Sequence, residues 1–216
     1  MKLSITWKLT ILVTVILLID QMLKIWVKTN MFIGEDFRVF GNWFLIRFIE
    51  NPGMAFGLAF GGKAGKLILC FFRLSLIVAL IYFVRILIRK KTNQGFIMCI
   101  GLILAGAIGN IIDCTFYGLI FNSGTTFNPE FGTYIGYSGV SQFSNDGYAT
   151  IFQGCVVDML YFPVIEGTYP AWFPFKAGNS FTFFRPIFNI ADAAVCIGMF
   201  ATVIFYWRLF KKIGNN

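Results

Sequence analysis

Of 216 residues, 57% are hydrophobic and 13% are charged, against about 25% charged in an ordinary soluble domain, so the chain does not read as a soluble globular protein. Lysine and arginine number 18 against 10 aspartate and glutamate, a net charge of +8, and histidine is absent. Without histidine a Ser-His-Asp triad, a Cys-His pair and a histidine-ligated zinc centre are excluded, and any hydrolytic chemistry falls to carboxylates.

Four stretches are long and apolar enough to cross about 30 Å of hydrocarbon as helices: 5–27, 67–88, 96–116 and 190–210. They predict an α-helical polytopic membrane protein, one membrane-embedded domain over 1–216. The first stretch opens with Lys2 and Lys8 and then turns apolar, as a secretory signal does. It is too long for such a signal's apolar region, and Trp26-Val27-Lys28 offers no small-residue cleavage site, so it is expected to remain as an anchor. Basic residues cluster before the first span, in the turn Arg89-Lys90-Lys91, and at Arg208, Lys211 and Lys212. By the positive-inside rule both termini are then cytoplasmic, and segments 28–66 and 117–189 lie outside. Lys28, Arg38, Arg47 and Lys63 weaken the contrast in the first outer segment, whereas the longer second one holds only Lys176 and Arg185. The positive charge is accounted for by topology and by attraction to anionic phospholipid, not by nucleic acid.

In the first outer segment, Phe37-Arg38-Val39-Phe40 and Trp43-Phe44-Leu45-Ile46-Arg47-Phe48-Ile49 are rich in aromatic and β-branched residues and flank Gly41-Asn42, a hairpin signal. A small extracytoplasmic β element is predicted there. The second outer segment, rich in Gly, Thr, Ser and Asn over 122–147, reads as an irregular outer lobe, and Tyr169-Pro170-Ala171-Trp172-Phe173-Pro174 supplies rings suited to the lipid interface.

On this map Asp20, Asp113, Asp158 and Asp192 converge on one membrane face. Lys24, four residues after Asp20, shares its helix face and can pair with it. Asp113, with Gly109 and Asn110, also fits a polar contact between packed helices. Two carboxylates brought close together share a proton, so Asp158 and Asp192 suit a pair in which one takes a proton from water and the other gives one to the substrate. A transporter would instead place polar groups and broken helices near the bilayer midplane. A non-enzymatic lipid- or protein-binding module would explain the aromatic lobe but not the paired aspartates.

Five strings in order carry a resemblance: Asp20-Gln21 with Lys24; Asn51-Pro52-Gly53-Met54-Ala55-Phe56-Gly57; Gly106-Ala107-Ile108-Gly109-Asn110 with Asp113; Val156-Val157-Asp158; and Phe188-Asn189-Ile190-Ala191-Asp192. Together they resemble the motifs of the lipoprotein signal peptidases, or signal peptidase II. The resemblance implies a cofactor-free, metal-free aspartic endopeptidase of the bacterial inner membrane, expected as a monomer, that cleaves lipidated prolipoproteins just before the diacylglyceryl-modified cysteine. It makes Asp158 and Asp192 the catalytic dyad. Asn51, Asn110 and Asn189 become hydrogen-bonding supports, Asp20 and Asp113 become braces with Lys24, and Gly53, Gly57, Gly106 and Gly109 become points of close backbone approach.

The chain departs from the family in two ways. Cys114 stands where the family usually has an arginine after the third-motif aspartate, with Arg47 and Arg185 as candidate substitutes. The 45 positions between Asp113 and Asp158 exceed the usual spacing, which marks 119–154 as an insertion. Cys114 and Cys155 bracket that insertion on the outer face, whereas Cys70, Cys99 and Cys196 lie in spans. Either the bracketing pair are small apolar residues or a disulfide closes the lobe at its base.

Overall fold

The computed structural model describes residues 3–53, 62–163, 165–168, 172, 178–183 and 186–213. Among the described residues, four helices are long and apolar enough to span a membrane. Helix α1 (Ile5–Asn30) starts where Ser4 Oγ accepts from Trp7 N–H, and α2 (Gly62–Arg89) runs back antiparallel to it. Helix α3 (Gln94–Ile112) is capped by Asn93, whose Oδ1 accepts from Gly95 N–H at 2.9 Å. α3 is the inner helix, more than half buried along its apolar window, whereas α1, α2 and α5 (Ile190–Ile213) expose large side chains such as Trp7, Met22, Phe72, Val78 and Phe205. That division is the one lipid requires: outer helices stay apolar on both faces, and only α3 is enclosed by protein.

The end of α3 does not stop cleanly. Asp113–Tyr117 forms a π-helical turn, followed by one α-turn, α4 (Gly118–Ile120). Such bulges occur often at functional sites because they re-aim a side chain within a continuous helix, and this one begins at Asp113.

At the same end of the bundle a four-stranded antiparallel sheet forms in the order β1-β2-β5-β8: Asp36–Phe40, Phe44–Asn51, Val156–Tyr161 and Ile187–Phe188. The β1–β2 hairpin turns at the predicted Gly41-Asn42. Two small hairpins complete the strands, β3 (Thr126–Asn128) with β4 (Thr133–Ile135), and β6 (Ile165–Thr168) with β7 (Ser180–Phe183). The lobe is therefore partly ordered strand where the sequence reads as irregular. Of the interfacial rings expected over 169–174, all but Trp172 lie outside the described residues.

The lobe is held by charge buried against aromatic rings. Lys28, at the end of α1, pairs with Glu50 of β2, both fully enclosed at the side chain, and donates to Ser123 C=O at 3.0 Å. Glu50 in turn accepts from Thr125 N–H. The rings of Phe121, Tyr137 and Tyr148 surround the ammonium at 5.0–5.2 Å. At the lobe's base, Gly154 N–H donates to Cys114 C=O and Ala149 N–H to Gly118 C=O, each at 2.9 Å. Removing one member of a buried pair leaves the other charge uncompensated, at a cost of about 3–5 kcal/mol. Lys28→Met is therefore expected to lower the melting temperature in detergent and to expose 119–154 to limited proteolysis, while Lys63→Met, at an exposed position, does neither.

Candidate active site

Asp158 and Asp192 reach the same place from different elements. Asp158 is the third residue of β5, a strand buried at every position, where it stands opposite Ile49 of β2. Asp192 is the third residue of α5, and Asn189 just before that helix is its N-cap. The Asn189 Oδ1 accepts from Asp192 N–H at 2.8 Å, and Asp192 Oδ2 accepts from Asn189 N–H at 3.4 Å. This reciprocal capping box uses asparagine and aspartate in the roles more often filled by serine and glutamate. It fixes the aspartate at the positive end of the helix dipole. A further orphan donor, Ala191 N–H, is capped from another helix by Asp20 Oδ1 at 2.9 Å.

Asn189 joins the two carboxylates. Its Nδ2 donates to Asp158 Oδ1 at 2.7 Å, with Asn110 Oδ1 at 3.1 Å and Val157 C=O at 3.3 Å also in range. Asn110 Nδ2 donates to Asp192 Oδ1 at 2.7 Å. On the other side Asn51 Nδ2 donates to Asp158 Oδ2 at 3.3 Å, and its Oδ1 is occupied by Gly53 N–H at 2.9 Å in an Asx turn. Gly53 has φ +101°, a conformation that L side chains rarely adopt, which explains the residue type there.

Behind the asparagines lies a fully buried charged cluster. The Lys24 ammonium makes three contacts: Asp20 Oδ2 at 2.8 Å, Asp113 Oδ2 at 2.8 Å and Asn110 Oδ1 at 3.1 Å. All three of its donors are thereby used. Because Asn110 Oδ1 accepts from Lys24, its amide must turn Nδ2 toward Asp192, so the lysine sets the polarity of the whole array. Gln21 completes the cluster, donating to Asp113 Oδ1 at 2.9 Å while accepting from Tyr117 O–H at 3.1 Å.

The close approach of α3 to α5 makes this possible. A Cβ on Gly106 would lie 2.2 Å from Ala191 C=O, and one on Gly109 would lie 2.9 Å from Asp20 Oδ2. The clash at Gly106 is with backbone, so a side chain there displaces the start of α5.

Burial divides the two aspartates. Asp158 is 5% exposed and Asp192 is half-buried. Loss of solvation pushes the Asp158 carboxyl up to about 7, and the charge of Asp192 adds to the rise. Lys24 and the amides of Asn51 and Asn189 pull the other way.

The structure thus brings together Asp20, Lys24, Asn51, Gly53, Gly106, Asn110, Asp113, Asp158, Asn189 and Asp192. Gly57 and the motif residues 54–56 lie outside the described residues. Of the two alternatives for Cys114 and Cys155, the disulfide is not formed: both are buried free thiols. Their backbones meet at the base of the lobe, but the side chains face different neighbours. Cys155 Sγ donates to Thr125 C=O at 3.2 Å and receives Lys66 Nζ at 3.3 Å, whereas Cys114 receives Arg73 Nη1 at 3.3 Å and hydrogen-bonds Cys70. Backbone hydrogen bonds, not a covalent link, close the lobe.

Among the described residues, the cation at Cys114 is Arg73. Arg47 pairs with Asp36 and lies over the Tyr161 ring at 4.8 Å, and Arg185 is outside the described residues. The signal of Arg73 in the sequence was a charge inside an apolar span. Gln21 and Tyr117 were legible only as neighbours of the aspartates.

A polytopic helical bundle with an asparagine-linked pair of carboxylates where a sheet meets the helix ends defines a class of membrane enzyme. The chain matches the family model described as Signal peptidase (SPase) II over residues 12–208. It is similar to a lipoprotein signal peptidase of Porphyromonas gingivalis, 44% identical over 200 residues covering 91% of this chain and 81% of that protein. A lipoprotein signal peptidase of Amoebophilus asiaticus is 35% identical over 202 residues, covering 92% of this chain and 77% of that one. A solved structure described as a bacterial membrane enzyme, obtained by the in meso method at 2.3 Å, shares the fold with a TM-score of 0.59 at 24% identity, covering 97% of this chain and 91% of that chain. The chain belongs to the signal peptidase II family and is a membrane-embedded protease.

Gly106→Ala is expected to lower turnover at least tenfold, because the displaced start of α5 carries Asp192 and misplacement by about 1 Å costs on the order of a hundredfold. The check is the rate of peptide cleavage in detergent, beside Gly136→Ala, where an added Cβ meets only the Ile33 side chain at an ordinary 3.5 Å.

Proposed function

We propose that this protease removes signal peptides from diacylglyceryl-prolipoproteins, cleaving the peptide bond before the lipid-modified cysteine, with Asp158 and Asp192 as its acid and base. The observation that carries the reading is the Asn189 amide, which bonds Asp158 through its side chain and Asp192 through its cap. Asp158, whose burial favours the protonated form near neutral pH, is the acid. Asp192 is the base. It takes a proton from water as the oxygen attacks the scissile carbonyl carbon, while Asp158 gives its proton to the carbonyl oxygen. Collapse of the tetrahedral intermediate breaks the C–N bond: the proton gained by Asp192 passes to the leaving amine, and one hydroxyl of the gem-diol returns its proton to Asp158 as the new carboxyl group forms. One water is consumed and two peptides are produced.

The positive-inside pattern supports cytoplasmic termini and a site at the outer face of the inner membrane, beside the phospholipid head groups. In that position the diacylglyceryl anchor holds the scissile bond at the depth of the carboxylates, so binding energy is used for positioning.

Asp158→Asn and Asp192→Asn are each expected to slow cleavage by roughly a hundredfold or more while the protein still folds and inserts, since an amide serves as neither acid nor base. Normal activity in either well-expressed variant overturns the assignment. The wild-type rate should fall as pH rises through about 7, where Asp158 loses the proton it must donate. A rate that climbs through that range excludes Asp158 as the acid.

The lipid's part is tested separately. The same peptide without its diacylglyceryl group should be cleaved far more slowly in detergent, and equal rates would contradict anchoring by lipid.

A further inference from the structure

Arg73 stands apart from the machinery described so far. It lies on α2 three residues after Cys70 and four before Ile77, both buried, so it shares the helix face that packs inward. Half-buried, it donates from Nη1 to Cys114 Sγ at 3.3 Å. That is its one side-chain hydrogen bond among the described residues, and none of the ion pairs there includes it. A guanidinium presents five donors in a fixed fork and keeps its charge in any protein setting, whereas a thiol is a weak acceptor. The contact with Cys114 therefore aims the group without saturating it. An ionised side chain within a membrane span that lacks a carboxylate partner points to a ligand.

The surroundings indicate which ligand. Cys114 follows Asp113 directly and packs in one cluster with Cys70 and Val156. Val156 and Asp158 are two positions apart on β5, on one face of the strand and separated by about 7 Å. Helical side chains lean toward the N-terminus, so Arg73 reaches toward the sheet-bearing end where the aspartates lie. Seven residues after Lys66, it sits about 10 Å further along α2. Within an apolar span, the acceptors that a diacylglyceryl-prolipoprotein offers are its glyceryl ester carbonyls and the carbonyls of its peptide. On the reading that the substrate is a diacylglyceryl-prolipoprotein, the geometry points to Arg73 as a positioning residue whose guanidinium holds a carbonyl oxygen of that substrate, close to the scissile bond.

The test compares wild type, Arg73→Gln and Arg73→Lys on a diacylglyceryl peptide in detergent, with melting temperature recorded for each. Arg73→Gln is expected to raise KM about tenfold, the effect of losing a hydrogen bond from a charged donor, with kcat and melting temperature close to wild type. Arg73→Lys, which keeps the charge but not the fork, should fall between the two, and it is read in the same way if the glutamine variant does not fold. A peptide whose alkyl chains are ether-linked distinguishes the acceptors. If Arg73 holds an ester carbonyl, wild type and Arg73→Gln have equal KM on it. If it holds the peptide backbone, the tenfold difference persists. An unchanged KM in both variants, or a KM that moves only in step with melting temperature, overturns the inference. Asp158→Asn separates this failure from that of the catalytic reading: it is inactive if the reading holds, whatever Arg73 does.

Discussion

One ammonium group organises the site. Lys24 places a full charge in a position without solvent exposure, which costs several kcal/mol per ion unless the geometry repays it. Here two carboxylates and one amide oxygen take all its donors. The three partners come from α1, from the π-helical turn after α3 and from α3 itself, so satisfying the lysine is the same event as docking those segments. Asp20 carries the linkage on to α5 by capping Ala191 N–H. Lys24 thus fixes where the helices meet and which way Asn110 points, and Asn110 in turn determines what Asp192 can accept.

The same arrangement explains how two chemically identical side chains come to differ. Asp158 sits in a strand enclosed on both faces and meets only amide donors, which soften the penalty of burial without removing it. Asp192 occupies the first turn of a helix, is only half-buried, and is held by the reciprocal cap. Neither aspartate meets an arginine or lysine directly among the described residues. The positive charge of Lys24 reaches them through an amide, which preserves the difference between them.

Much of this was legible in the sequence because it rests on length, apolarity or local chemistry. The spans and the Gly41-Asn42 hairpin depend only on such short-range signals. The site residues were legible because each occupies a short string whose order along the chain is specific. Strand β5 was not read as a strand: Val156–Tyr161 is buried at every position and so lacks the alternation that identifies a half-exposed strand. The Cys114–Cys155 pairing failed for another reason. Proximity of two backbones was inferred correctly, but the direction of each thiol depends on which neighbour offers a partner, and Arg73 and Thr125 lie on different sides. Arg73 itself stands alone among apolar residues of a span, and its role depends on a contact with Cys114 that lies 41 positions away.

The lobe shows how a long insertion is compatible with so tightly specified a site. Loop-closure entropy rises only slowly with length, so what matters is that the two ends return to the same place. Gly154 and Ala149 donate to the carbonyls of Cys114 and Gly118, and a Cβ on Gly154 would lie 2.3 Å from the carbonyl oxygen of Asp113. The chain therefore re-enters β5 against the turn from which it left. The charge that anchors the lobe, Lys28 of α1 with Glu50 of β2, is paired off away from the aspartates. The added segment adjoins the site at its base without adding a charge to it, so Asp113 can brace Lys24 on one side of the insertion while Asp158 meets Asn189 on the other.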